Sequence, residues 1–198
     1  MRIDKKFVFT LGWKETSMKV ANGASILLLL ICACTTTNDR ALEKAEIRAL
    51  IPYYKEAKEY RTYATVGFIT RSNIGLIQGR ADDAIEMMHG LRTRIMSVQC
   101  SSKSVKQIKD SIEVMCDLTS EAALFLRKMT RVQNELYSRW GTFWMYGEGG
   151  QRAQKEIQEN SRKWTLRKKQ CDGLAARLDS TFRFFLPDSF QIFMKSDK

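Results

Sequence analysis

The chain has 198 residues, of which 44% are hydrophobic, 28% are charged and two are proline. This composition excludes a disordered chain, because the apolar residues can bury enough area to offset the entropy of ordering, and the length excludes two large domains. The formal net charge of +11 indicates either a solvated basic face or attraction to an anionic surface or acidic partner.

Residues 18–34 have the pattern of a secretory signal. Met18 and Lys19 form a short basic start, residues 26–31 are an unbroken apolar run, and the small residue Ala33 stands before Cys34. The strongly apolar part is about eight residues long, whereas a membrane-spanning helix needs about 20. The pattern therefore favours a signal peptide over a transmembrane anchor.

The residues Ile31, Cys32, Ala33 and Cys34 resemble the lipobox of bacterial lipoproteins. In that family an aliphatic residue stands three places before the modified cysteine, and Ala or Gly stands directly before it. The resemblance implies cleavage after Ala33 and acyl chains, palmitate among them, on Cys34. Two or more chains give a stable membrane anchor, and Thr35 in place of Asp after the cysteine implies the outer membrane. The alternative is a coincidental cysteine at the end of a signal peptide or a buried helix.

The resemblance divides the chain into four segments. These are a leader and signal peptide over residues 1–33, a lipidated tether over 34–40, a helical bundle over 41–187 and an apolar tail over 188–198. Met18 is the expected start of translation, unless residues 1–17 form a long leader that is removed with the signal. The tail either covers the end of the bundle or forms an exposed apolar patch.

Apolar residues recur at helical spacing from Ala41 onward, and no stretch alternates with period two, which predicts an all-α fold. Pro52 is expected to kink the first helix or to begin a second one. The second stretch has one apolar face, formed by Tyr53, Ala57, Tyr60, Ala64 and Phe68.

A break in the helical pattern is predicted after this stretch. Three residues that weaken a helix mark it: Asn73, Gly75 and Gly79. Asp82 or Asp83 is expected to begin the next helix, where acidic side chains in the first turn interact favourably with the helix dipole. With Glu86 they are interpreted as capping residues rather than as a general acid and base.

The most regular pattern lies over residues 105–143, where apolar residues alternate at spacings of three and four. It predicts a long helix that packs with coiled-coil-like crossing. The residues 147–150 predict a turn, and a returning helix completes an antiparallel hairpin over residues 105–186. The whole is predicted to be an elongated up-and-down helical bundle. A turn centred near Glu148 would place Cys171 opposite Phe125.

Few residues in the sequence suggest catalysis or metal binding. Cys100, Cys116 and Cys171 are expected to be unpaired, with Cys100 and Cys171 as the least excluded disulfide. His89 is the only histidine and is interpreted as structural, because it lacks metal-ligating partners at helical spacing. We expect no cofactor, no metal and no catalytic residue.

A candidate interaction surface combines aromatic and basic side chains near the hairpin tip and in the tail. It consists of Trp140, Trp144, Tyr146, Arg152, Arg162, Trp164, Arg167, Phe190 and Phe193. The alternative is core packing with a solvated basic face.

Taken together, these patterns predict a non-enzymatic, membrane-tethered helical module that binds or scaffolds a partner in the cell envelope. Its expected partners are the membrane, through the lipid, and a protein or an anionic surface. Nucleic acid is not expected, because the export signal removes the chain from the cytoplasm. The alternative is an accessory or docking factor of an envelope assembly or secretion machine. A third class, an envelope hydrolase, is disfavoured, because it would need a catalytic site made of carboxylates alone and the sequence does not indicate one.

Overall fold

The computed structural model of the protein describes residues 39–65, 68–138 and 147–187. The chain divides into two compact units, Met1–Lys44 and Ala45–Lys198, and residues 39–44 are the described part of the first unit. Every regular element among the described residues is an α-helix, with no strand. The prediction of an all-α bundle is therefore confirmed.

Four helices cover the described residues, and we number them in chain order. They are α1 over residues 39–63, α2 over Ile74–Met96, α3 over Lys103–Ser138 and α4 over Glu148–Phe185. The long helix predicted from residue 105 is confirmed as α3, which has 36 residues. Trp140 and Phe143, which continue its predicted apolar pattern, lie outside the described residues.

The first helix is continuous through Pro52, so the expectation that a new helix begins there is wrong. Pro52 lies on the exposed side, while Leu50, Ile51 and Tyr54 around it are buried. Burial of this face outweighs the one backbone hydrogen bond that proline cannot donate. The helix ends at residue 63, and Phe68 is 90% exposed instead of extending the buried face.

The predicted break is confirmed at Asn73, the residue directly before α2, but it is wrong at Gly75 and Gly79, because α2 begins at Ile74 and includes both glycines. The side-chain oxygen of Asn73 accepts a hydrogen bond of 2.7 Å from the Thr70 backbone N–H, which orders the turn before the helix. Each glycine costs about 1 kcal/mol relative to alanine in a helix. Burial of Ile74, Ile77 and Ala81 on the same helix offsets that cost.

The α3–α4 hairpin is antiparallel, as predicted, but its register differs from the predicted one. The Thr119 hydroxyl lies 3.4 Å from the Cys171 Sγ, and the Lys163 ammonium lies 6.0 Å from the centre of the Phe125 ring. Cys171 is thus opposite Thr119, and the expectation that it faces Phe125 is wrong. The cause is the turn: Gly149 and Gly150, assigned to it from the sequence, form the first turn of α4.

Two further helix pairs are antiparallel as well. Between α2 and α3, ion pairs join Asp82 to Arg127 and Arg92 to Asp117. Between α1 and α4, Tyr54 contacts Asp179, and the backbone carbonyl of Ala64, just after α1, contacts Trp164. In each case a residue later in one helix meets a residue earlier in the other, which is the up-and-down course of a four-helix bundle.

Two apolar clusters form the core. The first core cluster joins all four helices through large side chains, among them Ile47, Tyr54, Met88, Leu91, Ile95, Ile112, Met115, Leu178 and Phe182. The second core cluster is rich in alanine and consists of Ala64, Ile77, Ala81, Ala84, Ala122, Ala123, Leu126 and Met129. Trp164 packs against the second cluster, where its large ring complements the small side chains.

Substitution of neighbouring residues on α3 should separate its buried face from its exposed face. Ile112 is fully buried, whereas Val114 is 48% exposed. We expect Ile112→Ala to lower the free energy of unfolding by about 2–5 kcal/mol, because it leaves a cavity, and Val114→Ala to change it by less than about 1 kcal/mol. Urea unfolding followed by circular dichroism measures both, and equal losses would contradict the assigned face.

Candidate interaction surface

The described part of the chain contains four residues of the surface predicted from the sequence. These are Arg152, Arg162, Trp164 and Arg167, and all lie on α4. The other members of this surface lie outside the described residues; they are Trp140, Trp144, Tyr146, Phe190 and Phe193. The predicted lipidation site, Cys34, lies outside the described residues as well.

Arg152 and Arg162 are both exposed on the side of α4 that faces away from the bundle. Arg152 lies 3.6 Å from the Glu148 carboxylate, in a pair whose side chains are 84% and 91% exposed. Exposed ion pairs of this kind contribute little to stability. Both arginines are therefore available to a partner.

Trp164 and Arg167 are used within the bundle. The Trp164 indole N–H donates a 2.9 Å hydrogen bond to the Ala64 carbonyl, and its ring packs against the second core cluster. Arg167 pairs with Glu121 of α3. The structure therefore divides the four α4 residues into two groups, one facing outward and one joining helices.

A partly buried polar seam between α1 and α4 was not predicted from the sequence. The Tyr54 hydroxyl, in a residue with no exposed surface, shares its one proton between two acceptors, the Asp179 carboxylate at 2.6 Å and the Ala175 carbonyl at 2.9 Å. Lys58 lies 2.9 Å from the same carboxylate. Burial, followed by the hydrogen bond to Asp179, raises the pKa of Tyr54 far above its ordinary value, so this phenol stays protonated.

Further along the same seam, Arg61 of α1 lies 2.9 Å from Asp172 of α4, which also accepts a hydrogen bond from Lys168. On the other side of α1, Glu56 accepts hydrogen bonds from Arg94 of α2 and from Tyr60. Burial opposes ionisation of Glu56, but the two hydrogen bonds outweigh it and lower the pKa of this carboxyl. Ion pairs thus join α1 to both of its neighbours, α2 and α4.

The three cysteines of the bundle are free thiols. Cys116 and Cys171 are buried and Cys100 is half-buried. Burial raises the pKa of Cys116 to about 12 and raises the pKa values of Cys100 and Cys171. Because the thiolate is the reactive form, these thiols are poor nucleophiles at neutral pH.

The acidic residues of α2 do not cap a helix, contrary to the prediction. Asp82 lies in the third turn of α2, and its carboxylate lies 3.1 Å from the Arg127 guanidinium of α3. His89, the only histidine, is exposed. Over residues 39–65, 68–138 and 147–187, no three metal-ligating side chains lie together.

An open groove of about 590 Å³ lies between the start of α3 and the end of α4. Its apolar floor includes Ile108, Leu174 and Leu178 of the core, and Asp110 and Arg177 lie along its rim. Among the described residues, Arg92 Nε is the one buried side-chain polar atom without a hydrogen bond. It lies outside this groove, 3.2 Å from Asp117.

Neither a protein-family model, nor a curated protein, nor a solved structure matches the chain. None of the helices in the described ranges has an apolar stretch long enough to cross a bilayer.

Removal of the buried hydroxyl at Tyr54 should destabilise the bundle. We expect Tyr54→Phe to lower the free energy of unfolding by about 1–3 kcal/mol, because the Asp179 carboxylate and the Ala175 carbonyl lose the buried donor that they share. The neighbouring Tyr53 is half-buried and forms no side-chain hydrogen bond with the described residues, so Tyr53→Phe should cost less than about 0.5 kcal/mol. Thermal and urea unfolding check both, and equal effects would argue against the seam.

The contribution of Glu56 should depend on pH. Its pKa is lowered from 4.5, so its stabilisation is complete above that value and is lost as the pH falls through the lower pKa of the folded state. We expect Glu56→Gln to cost about 1 kcal/mol at pH 7 and nearly nothing at the acid end. Glu59→Gln is the matched control, since Glu59 forms no ion pair within the described ranges. Urea unfolding across this pH range would contradict the assignment if both variants behaved alike.

Proposed function

We propose that the chain is a lipid-anchored protein of the bacterial cell envelope whose helical bundle is a non-enzymatic module that binds or scaffolds a partner. The observation that carries the proposal is the sequence Ile31, Cys32, Ala33, Cys34 after an apolar run and a basic start. It is the arrangement that a lipoprotein signal requires, with Cys34 as the acylated residue. Thr35 after it supports the outer membrane.

The bundle supports a binding or scaffolding role. Most of its partly buried ionisable side chains join neighbouring helices, as Lys58 does with Asp179 and Arg61 with Asp172. Its thiols are held protonated by burial. Side chains engaged in this way fix the positions of the helices, which suits a rigid module that presents an outer surface.

A second candidate function, a docking factor of an envelope assembly or secretion machine, is supported by one observation. Phe68 and Leu76 are 90% and 61% exposed and border the same small groove beside Tyr63 and Arg80. Exposed large apolar side chains that lie together are typical of protein contacts. This candidate differs from the first in needing a specific protein at that groove.

The two cysteines at the proposed cleavage site give a matched test. In a Gram-negative host grown with labelled palmitate, we expect Cys34→Ser to abolish labelling, signal cleavage and lipid-mediated membrane attachment, because the thiol that accepts the lipid is lost. Cys32→Ser should retain all three. Gel fluorography, the mass of the mature amino terminus and membrane fractionation provide the measurements. Unchanged labelling and attachment in Cys34→Ser, or equal loss in both variants, would overturn the proposal.

A further inference from the structure

The outward face of α4 has a surplus of positive charge. The positions of this helix opposite its buried residues recur at spacings of three and four, and each of them is exposed. They include five basic residues and two acidic residues, namely Arg152, Lys155, Arg162, Lys169 and Arg183, with Glu148 and Glu159. We call this set the basic stripe.

The corresponding faces of the two preceding helices have no surplus of positive charge. The outward positions of α2 include Asp83 and Glu86 and no basic residue. Those of α3 combine four acidic residues with four basic ones: Asp110, Asp117, Glu121 and Glu135 with Lys103, Lys106, Lys128 and Arg131. Of the outward faces of these three helices, only that of α4 therefore has more basic than acidic residues.

The centre of the basic stripe is a regular row. Lys155, Arg162 and Lys169 are separated by seven residues each, or about 10.5 Å along the helix axis. None of the three forms an ion pair with any residue of the described chain. The acidic residue among them, Glu159, forms its ion pair with Lys163, whose ammonium lies 2.6 Å from the carboxylate. Lys155 acts on Glu159 only through space, by helping to lower the pKa of this carboxyl.

One large apolar side chain interrupts the row. Leu166 lies between Arg162 and Lys169 on the same face, and it is 54% exposed. A helix that combines long cationic side chains with an exposed leucine has the composition of a segment that contacts a membrane interface. The cations reach lipid phosphates while the leucine enters the boundary between headgroups and acyl chains.

We propose that the basic stripe of α4 lies on an anionic lipid bilayer. Evenly spaced cations on a convex helix face match a surface of many equivalent phosphates better than one discrete ligand, which would need convergent groups in a concavity. An acidic protein is the weaker fit, because protein interfaces have an apolar centre of several residues and the central row includes only Leu166. The proposal rests on the proposed function, in which the lipid on Cys34 keeps the bundle at a membrane.

The test uses the full chain with Cys34→Ser in every variant, so that acyl chains cannot drive binding. Sedimentation with vesicles of phosphatidylcholine, or of phosphatidylcholine with 30% phosphatidylglycerol, measures the partition coefficient. We expect Lys155→Gln, Arg162→Gln and Lys169→Gln together to lower the partition onto anionic vesicles by about ten- to a hundredfold, since each cation near an anionic surface contributes about 1 kcal/mol, or a factor of about five. Binding to neutral vesicles should not change.

A matched control removes the same charge from the other helices. Arg48, Arg80 and Lys106 are exposed, one on each of α1, α2 and α3, and form no ion pair within the described ranges. We expect Arg48→Gln, Arg80→Gln and Lys106→Gln together to reduce the anionic partition by less than about threefold. Gln is a good helix former, and circular dichroism checks that both triple variants keep the helix content of the parent.

Each outcome has one meaning. Selective loss in the α4 variant supports the proposal. Equal loss in both triple variants, or equal binding of the parent to neutral and anionic vesicles, overturns it. Binding to soluble polyglutamate without binding to anionic vesicles also overturns it, and would identify an acidic protein as the partner. Palmitate labelling tests the anchor separately, so failure of the anchor and failure of the stripe are distinguishable.

Discussion

The bundle depends on the buried face of α3. This helix contributes Ile108, Ile112 and Met115 to the first core cluster and Leu126 and Met129 to the second, so the two clusters are parts of one continuous apolar stripe. Its neighbours α2 and α4 pack on this stripe from two sides. A fully buried side chain of this size stabilises the fold by about 1.5–3 kcal/mol relative to exposure. This burial selects the general arrangement of the helices, and the charged contacts between helices add to it.

Burial alone does not decide which helix ends meet. An apolar stripe with a seven-residue repeat can shift along its partner by one repeat at little cost in buried area. Asp82 pairs with Arg127 on one seam, and the residues seven places before and after Arg127 are Ser120 and Asn134, so a shift in either direction removes this ion pair. On another seam Tyr54 loses its acceptor Asp179 when the shift brings Leu186 opposite it. A buried hydroxyl without an acceptor is costly, so the polar seams favour one register.

The sequence predicted what depends on periodicity and missed what depends on a balance between energies. The stripe of α3 repeats for ten turns, and no single residue contradicts it, so its existence and its buried face followed from spacing. The start of α2 did not, because Gly75 and Gly79 oppose a helix locally while Ile74 and Ile77 favour it through contacts with other helices. The register of the α3–α4 hairpin failed for a related reason: Gly149 and Gly150 are helical, and propensity at a helix end gives the turn only within a few residues.

The candidate surface, too, was predicted only in part from the sequence. Aromatic and basic residues near each other in the sequence predicted a common surface, but neighbours on a helix point in different directions. Trp164 faces the alanine-rich cluster, and Arg162, two residues earlier, faces outward. The seven-residue spacing of Lys155, Arg162 and Lys169 is visible in the sequence, yet it gains meaning only when the buried side of α4 is known.

The basic stripe adds little cost to the fold. Like charges about 10.5 Å apart are separated by roughly one Debye length at physiological ionic strength and are well screened in water. Several acidic residues of α4 are engaged at the seams or with lysines of the same helix, as Asp172, Asp179 and Glu159 are, so they do not compensate the outer row. The bundle can therefore keep an unbalanced face without losing its packing. The stability of the fold does not explain why the surplus charge lies in one row. Binding to an anionic surface opposite that row does explain it.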